Sequence, residues 1–159
     1  MRVLSTEFLQ GLFQDEKVFS ISKTSTSVAD GGTLKIIVKP DTKDICILFS
    51  FGGEGKVKLN SYLNPTYTGG TEYTPFNRVT GSTKTLKGTI LIDPTVTDNG
   101  TQRGDEFEGA TGFLTGAGGT ISSGLGTKVS VGTELLFEII NQRGSAADLE
   151  VVGIVFEEE

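Results

Sequence analysis

From Val18 onward, apolar and polar residues alternate with a period of two, and the alternating runs stop at Gly, Asp, Asn or Pro. That is the pattern of β-strands separated by turns. In residues 33–39, Leu34, Ile36 and Val38 share one pleat face, Lys35 and Lys39 take the other, and Pro40-Asp41 ends the run. Residues 45–51 are apolar at nearly every position: Ile45, Ile47, Phe49 and Phe51 fall on one face and Cys46 and Leu48 on the other, before Gly52-Gly53. This predicts a central strand covered on both sides. Residues 56–60 and 84–92 alternate as solvent-backed strands, the second turning Leu86, Ile90 and Ile92 inward. Residues 133–141 and 149–156 form the last pair, and the short stretch 142–148 predicts a hairpin-like return between them. Residues 18–22 and a weak segment near 107–114 bring the total to about eight strands. The expectation is an all-β chain, an antiparallel β-sandwich or jelly roll, with no βαβ crossover.

Two regions break the alternation. At the N-terminus, Leu4, Phe8, Leu9, Leu12 and Phe13 recur at helical spacing, with Ser5 or Thr6 placed to cap. Residues 1–17 therefore read as a short amphipathic helix or arm in front of a sandwich domain, 18–159. The arm either packs on its own sandwich over an open end or docks on a neighbouring subunit. The second region, 97–126, is rich in Gly, Thr and Ser and predicts a long surface loop around the weak strand.

Composition then removes whole classes of chemistry. The chain has 159 residues, 22 of them glycine, with one cysteine and neither histidine nor tryptophan. At that length one domain buries roughly 68 to 70% of its unfolded surface, so no disulfide is needed. Without histidine there is no Ser-His-Asp or Cys-His arrangement and no HExxH zinc site. A single cysteine, Cys46, allows neither an intrachain disulfide nor a multi-cysteine zinc site, and its apolar neighbours make it a small buried hydrophobe. A net charge of −6 argues against a nucleic-acid partner. No apolar run approaches the roughly 18 residues of a membrane helix, and Glu7 falls where a signal peptide would be apolar. The expectation is a soluble protein made in a cytoplasm, with no membrane partner.

Several local patterns bear on chemistry. Gly116-Ala117-Gly118-Gly119 lacks the following helix that would make it a phosphate loop. Asp93, Asp98, Asp105, Glu106 and Glu108 lie close in sequence as calcium ligands would, yet off EF-hand spacing, and read as a solvated acidic loop. Paired carboxylates alone can hydrolyse glycosides, so composition does not remove every enzyme. Tyr62, Tyr67 and Tyr73 fall in one stretch and suit a protein contact or ordinary half-buried strand positions. The terminal Glu157-Glu158-Glu159 reads as a solvated tail.

Four segments, in order, carry a resemblance: Ala29-Asp30-Gly31-Gly32-Thr33-Leu34, Thr74-Pro75-Phe76-Asn77-Arg78, Pro94-Thr95-Val96-Thr97-Asp98-Asn99-Gly100-Thr101 and Asn141-Gln142-Arg143-Gly144-Ser145-Ala146. Over residues 28–156 the chain resembles the small virion proteins of tailed bacteriophages that act as head decoration or cement proteins. The resemblance implies a non-enzymatic jelly-roll or sandwich subunit, often a homotrimer, on the outer capsid surface and bound to the major capsid protein, without catalytic residues, metal or cofactor. It also implies that Phe76 acts as a buried anchor and Arg78 as a hydrogen-bond or salt-bridge former. The expected partner-binding residues are Leu4, Phe8, Leu12, Phe13, Tyr62, Tyr67, Tyr73, Phe76 and Arg78. The alternative is a receptor- or carbohydrate-binding module of a phage tail or fibre.

Overall fold

The computed structural model describes the backbone of residues 6–103, 107–109, 120–122 and 127–158, and the side chains of 10–103 and 127–158. One helix precedes a run of strands: α1 Thr6–Gln14, β1 Val18–Val28, β2 Thr33–Pro40, β3 Ile45–Gly53, β4 Val57–Leu63, β5 Thr66–Thr68, β6 Thr71–Tyr73, β7 Phe76–Asn77, β8 Gly88–Ile92, β9 Thr95–Asp98, β10 Thr101–Gln102, β11 Phe107–Gly109, β12 Thr120–Ser122, β13 Thr127–Val129, β14 Leu135–Asn141 and β15 Ala147–Glu157. All pairings are antiparallel, and the two main sheets make a β-sandwich, as the alternation predicted.

The pairing is nested. The outermost strands β1 and β15 pair, then β2 with β14, β3 with β13 and β12, β4 with β11 and β10, β5 with β9, and β6 with β8. The chain is therefore one long two-stranded ribbon, rolled so that successive stretches fall in alternate sheets. Where the roll meets itself, β15 also pairs with β3, β14 with β4, β8 with β2, and the ribbon tip returns as β7 against β1. The first sheet runs β12-β3-β15-β1-β7, with β13 also on β3, and the second runs β10-β4-β14-β2-β8-β6.

Three expectations change. Residues 133–141 and 149–156 are not a hairpin. β14 sits in the second sheet and β15 in the first, because each is apolar on its inner face and is paired on both sides by other strands. Residues 84–87 lie outside β8, and the strand count exceeds eight because short strands such as β5, β6 and β9 have too few residues to show a period. The long loop at 97–126 is in part ribbon: the end of β9, then β10, β11 and β12 lie within it, and the rest falls outside the described residues.

Side chains from both sheets meet between them. Phe49 and Phe51 of β3 contact Phe137 of β14 with centroids 5.9 and 4.9 Å apart, inside a core that includes Ile21, Leu34, Ile36, Ile47 and Val151. The outer face of the first sheet is apolar at one end, where Val18, Phe156, Cys46, Leu48 and Ile154 collect, and Leu12 of α1 packs there. The other face of β3 is thus only partly covered, with Cys46 and Leu48 half-buried where the sequence implied full cover, and α1 lies across its own sheet rather than over an open end. In the second sheet Ile37 and Leu136 point away from the core yet are fully buried. Tyr67 of β5 reaches Glu134 and Lys39 on that side, which brings this member of the β5–β9 pair against it.

Candidate functional site: an aromatic patch with an arginine at a sheet edge

α1 ends in two backbone bonds, Lys17 N–H to Leu12 C=O and Glu16 N–H to Phe13 C=O, with Glu16 in the left-handed region at φ 57°. This Schellman-type stop turns the chain sharply into β1 and leaves Phe13 facing out while Leu12 packs down. The ribbon tip arrives beside it. Asn77 donates its amide to the Glu16 carbonyl at 2.9 Å and accepts the Val79 N–H, which fixes the short edge strand β7 against the helix end. β7 pairs Phe76 opposite Ser20, on the outer side of the sheet, since the adjacent pair Phe19–Asn77 carries the core-facing phenylalanine.

The result is a patch. Phe76 is 73% exposed and Phe13 38% exposed. Arg78 places its guanidinium 6.0 Å from the Phe13 ring centroid and donates to the Ser20 hydroxyl at 3.2 Å. Among the described residues no carboxylate pairs with Arg78. By contrast Lys17, Lys35, Lys39, Lys84, Lys128 and Arg143 all have acidic partners.

Of the residues named from the sequence, the structure brings Phe13, Phe76 and Arg78 to one edge, while Leu12 is buried in the apolar cluster on the outer face of the first sheet. Leu4 and the Phe8 side chain lie outside the described residues. Phe76 is not buried within its own chain, which corrects the anchor reading for the isolated subunit: a two-residue edge strand has no layer outside it. The tyrosines divide: Tyr62 and Tyr67 both lie on the outer side of the second sheet, whereas Tyr73 points between the sheets. Tyr73 bridges the two sheets, its hydroxyl accepting the Ser22 N–H and donating to the Ser22 carbonyl, both at 3.0 Å. Burial, together with its bond to the Glu134 carboxylate, pushes the Tyr67 hydroxyl pKa up. Tyr62 stands opposite Leu136 on the outer side of the second sheet.

Apart from 74–78, which carries the patch, the segments of the resemblance sort into internal ties. Asn141 donates its amide to the carbonyls of Val28 and Ser145, each at 2.8 Å, and accepts the Arg143 N–H at 2.9 Å. Asp30 accepts the Gly144 N–H, and Gly31 and Gly32 bond the Asn141 backbone, so residues 29–34 and 141–146 form one pinned end of the sandwich. Asp98 accepts the Gly100 N–H, and Gly100 at φ 79° passes so close to the Leu63 carbonyl that no Cβ fits. Asp93 likewise accepts the Lys35 N–H. Both acids shape turns. Asp105 and Glu106 lie outside the described residues, as does the Glu108 side chain. Among the described residues no group of three or more metal-ligating side chains comes together.

A cleft of about 150 Å³ opens between Lys23, Thr71, Glu72, Tyr73, Ile92 and Asp93. It is smaller than the roughly 300 Å³ at which ligand pockets begin. Beyond β7 the outer edge of β1 pairs with no strand among the described residues, and there it carries the core-facing Lys23 and a bulge with Ser27 at φ 53°. Both devices protect a strand edge against accidental pairing.

The sequence reading missed a second cluster. Lys128 is shared by Asp44, at 2.9 Å, and Glu158, while Glu158 also accepts from the Cys46 thiol. Desolvation, helped by the bond to Glu158, pushes the Cys46 pKa up to about 12. Val131, 48% exposed, donates its N–H to Asp44 at 2.8 Å. The available signal was an apolar residue out of alternation, Val131 beside Gly132 in a turn. No family model matches this chain, and no curated protein is similar to it. What the chain shows of itself is an all-β sandwich with exposed aromatic side chains at one sheet edge.

Proposed function

We propose that this chain is a non-catalytic virion subunit, a decoration protein that binds the outer surface of an assembled phage head and stabilises contacts between major capsid subunits. The observation that carries the reading is the exposed Phe13–Phe76–Arg78 patch, two aromatic rings and a cation with no carboxylate partner among the described residues, a composition suited to protein contacts. The nested ribbon supports the finer fold reading, a jelly roll, in which paired strands are distributed between two sheets in this way. A subunit that binds only the assembled lattice adds its binding free energy to the lattice by mass action, and a trimer multiplies modest contacts through avidity.

The test uses expanded heads assembled from the major capsid protein of the phage from which, on this proposal, the chain comes. Bound protein in a fixed ratio to capsid subunits, and a higher temperature of head rupture, are the expected results. Phe76→Ser should abolish both. Binding to host cells or glycans but not to heads would replace this reading with a receptor-binding module.

A further inference from the structure

The large hydrophobic side chains that stand exposed among the described residues fall on opposite edges of one sheet. Phe13 and Phe76 flank Arg78 at the β7 edge; Val131 lies past β13, on the far side of β3. Four strand spacings, about 19 Å, separate the two edges.

The edges also differ in charge. At the β7 edge Arg78 has a hydroxyl and a ring but no carboxylate among the described residues. At the β13 edge one lysine, Lys128, serves two carboxylates, Asp44 and Glu158, which leaves negative charge in surplus. Asp44 is bonded to the backbone of the exposed valine itself, so acid and apolar side chain are presented as a unit. Each edge therefore supplies what the other lacks: aromatic rings with an unsatisfied cation on one side, an aliphatic knob with surplus carboxylate on the other.

We infer that copies of this chain join edge to edge, the Phe13–Phe76–Arg78 patch of one against the Val131–Asp44–Glu158 patch of the next, in a closed ring. Two different, complementary patches on one chain make a head-to-tail contact, which closes when the rotation between neighbours divides a full turn. A guanidinium meeting a carboxylate beside an apolar contact fixes the register of such an interface. The ring rests on the proposed function only for its size, three.

The experiment is solution mass by light scattering on the full chain, on Phe76→Ser, on Val131→Asp and on an equal mixture of the two variants. Both positions are exposed, so the variants should melt as the parent does. The parent should run at three chain masses and each variant alone at one. The mixture should run at two, because such a pair retains one intact contact and cannot close. Arg78→Glu should behave as Phe76→Ser. A parent that is a single chain at about 100 µM overturns the ring, and head binding then decides separately whether it decorates capsids. A trimer that survives in both variants moves the contact to another face and leaves the trimeric reading standing. A mass that grows without limit with concentration means an open chain of subunits and also overturns the ring.

Discussion

Replacing Asn141 by alanine should remove the tie that holds the two ends of the ribbon base together. The side chain is fully buried and uses both amide hydrogens and its carbonyl, on Val28, Ser145 and the Arg143 N–H. Ser145 and Arg143 are exposed, so water can take over at those two groups, whereas the Val28 carbonyl is half-buried. At about 1 kcal/mol for each lost bond, and about as much again for a carbonyl left without a partner, the cost is about 3–4 kcal/mol. That is a large share of the roughly 5–15 kcal/mol of a typical domain, and at this size it lowers Tm by about 10 °C. Urea denaturation should show a lower midpoint with an unchanged slope. Asn141→Asp sharpens the test: it keeps the acceptor but sets a buried carboxylate against two carbonyl oxygens. Its folded pKa is then raised above the unfolded value of about 3.9, so stability is retained below that value and lost as pH rises through the folded pKa. The aspartate variant should be weaker than the alanine variant at pH 7 and recover in acid. A loss below about 1 kcal/mol for the alanine variant, or identical behaviour of the two at every pH, would refute the argument.

Gly153→Ala should cost about 3 kcal/mol or prevent folding, because a Cβ there would stand 2.1 Å from the Leu48 carbonyl and 2.8 Å from the Phe49 ring; calorimetry reads it directly. Glu150 is buried on the outer side of β15 with one carboxylate oxygen unpartnered, and burial pushes its pKa up. Glu150→Gln should therefore stabilise the protein by about 1 kcal/mol at neutral pH, the gain fading as pH falls through the raised pKa and vanishing below the unfolded value; a gain independent of pH counts against it. At pH 8 the Cys46 thiol should react with a maleimide ~50-fold more slowly than a free cysteine, since a pKa of about 12 depletes the thiolate while raising its nucleophilicity. Urea should abolish the difference.

How much of this was legible in the sequence follows from how far each signal reaches along the chain. Leu34, Ile36 and Val38, or Ile45, Ile47, Phe49 and Phe51, declare a strand and its buried face within a few residues, and every one of them is buried in the structure. What a strand pairs with is not local. Nothing between Asn141 and Ala147 says that the chain is crossing between sheets rather than turning back on itself, and the partner of β15 is the first strand, at the other end of the chain. The patch was half visible. Phe13, Phe76 and Arg78 stood out singly, but their meeting depends on the ribbon tip returning to β1, which takes the Asn77 bond to the Glu16 carbonyl to fix. Val131 belongs to no alternating run, and no local pattern around Asp44 announces its bond to the Val131 N–H.

The rolled ribbon also explains why the uncovered apolar surface lies where it does. Rolling buries one side of each sheet against the other, and the remaining outer sides are dressed in part by elements of the same chain: α1 over Val18, Leu48 and Phe156 on the first sheet, and Tyr67 of β5 reaching Glu134 on the second, where Ile37 and Leu136 are buried. Faces of that kind have little left to offer a partner. The edges are different, because each rolled sheet ends in short strands, and the tip and the β13–β14 turn bring side chains there that no further layer can cover. Phe76 and Val131 are exposed for that reason, and they sit at the two edges of the same sheet. Contacts made through edges arrange subunits side by side, with one end of every sandwich facing the same way. That is the geometry a protein needs in order to lie as a ring on a surface and grip it with several equivalent ends at once.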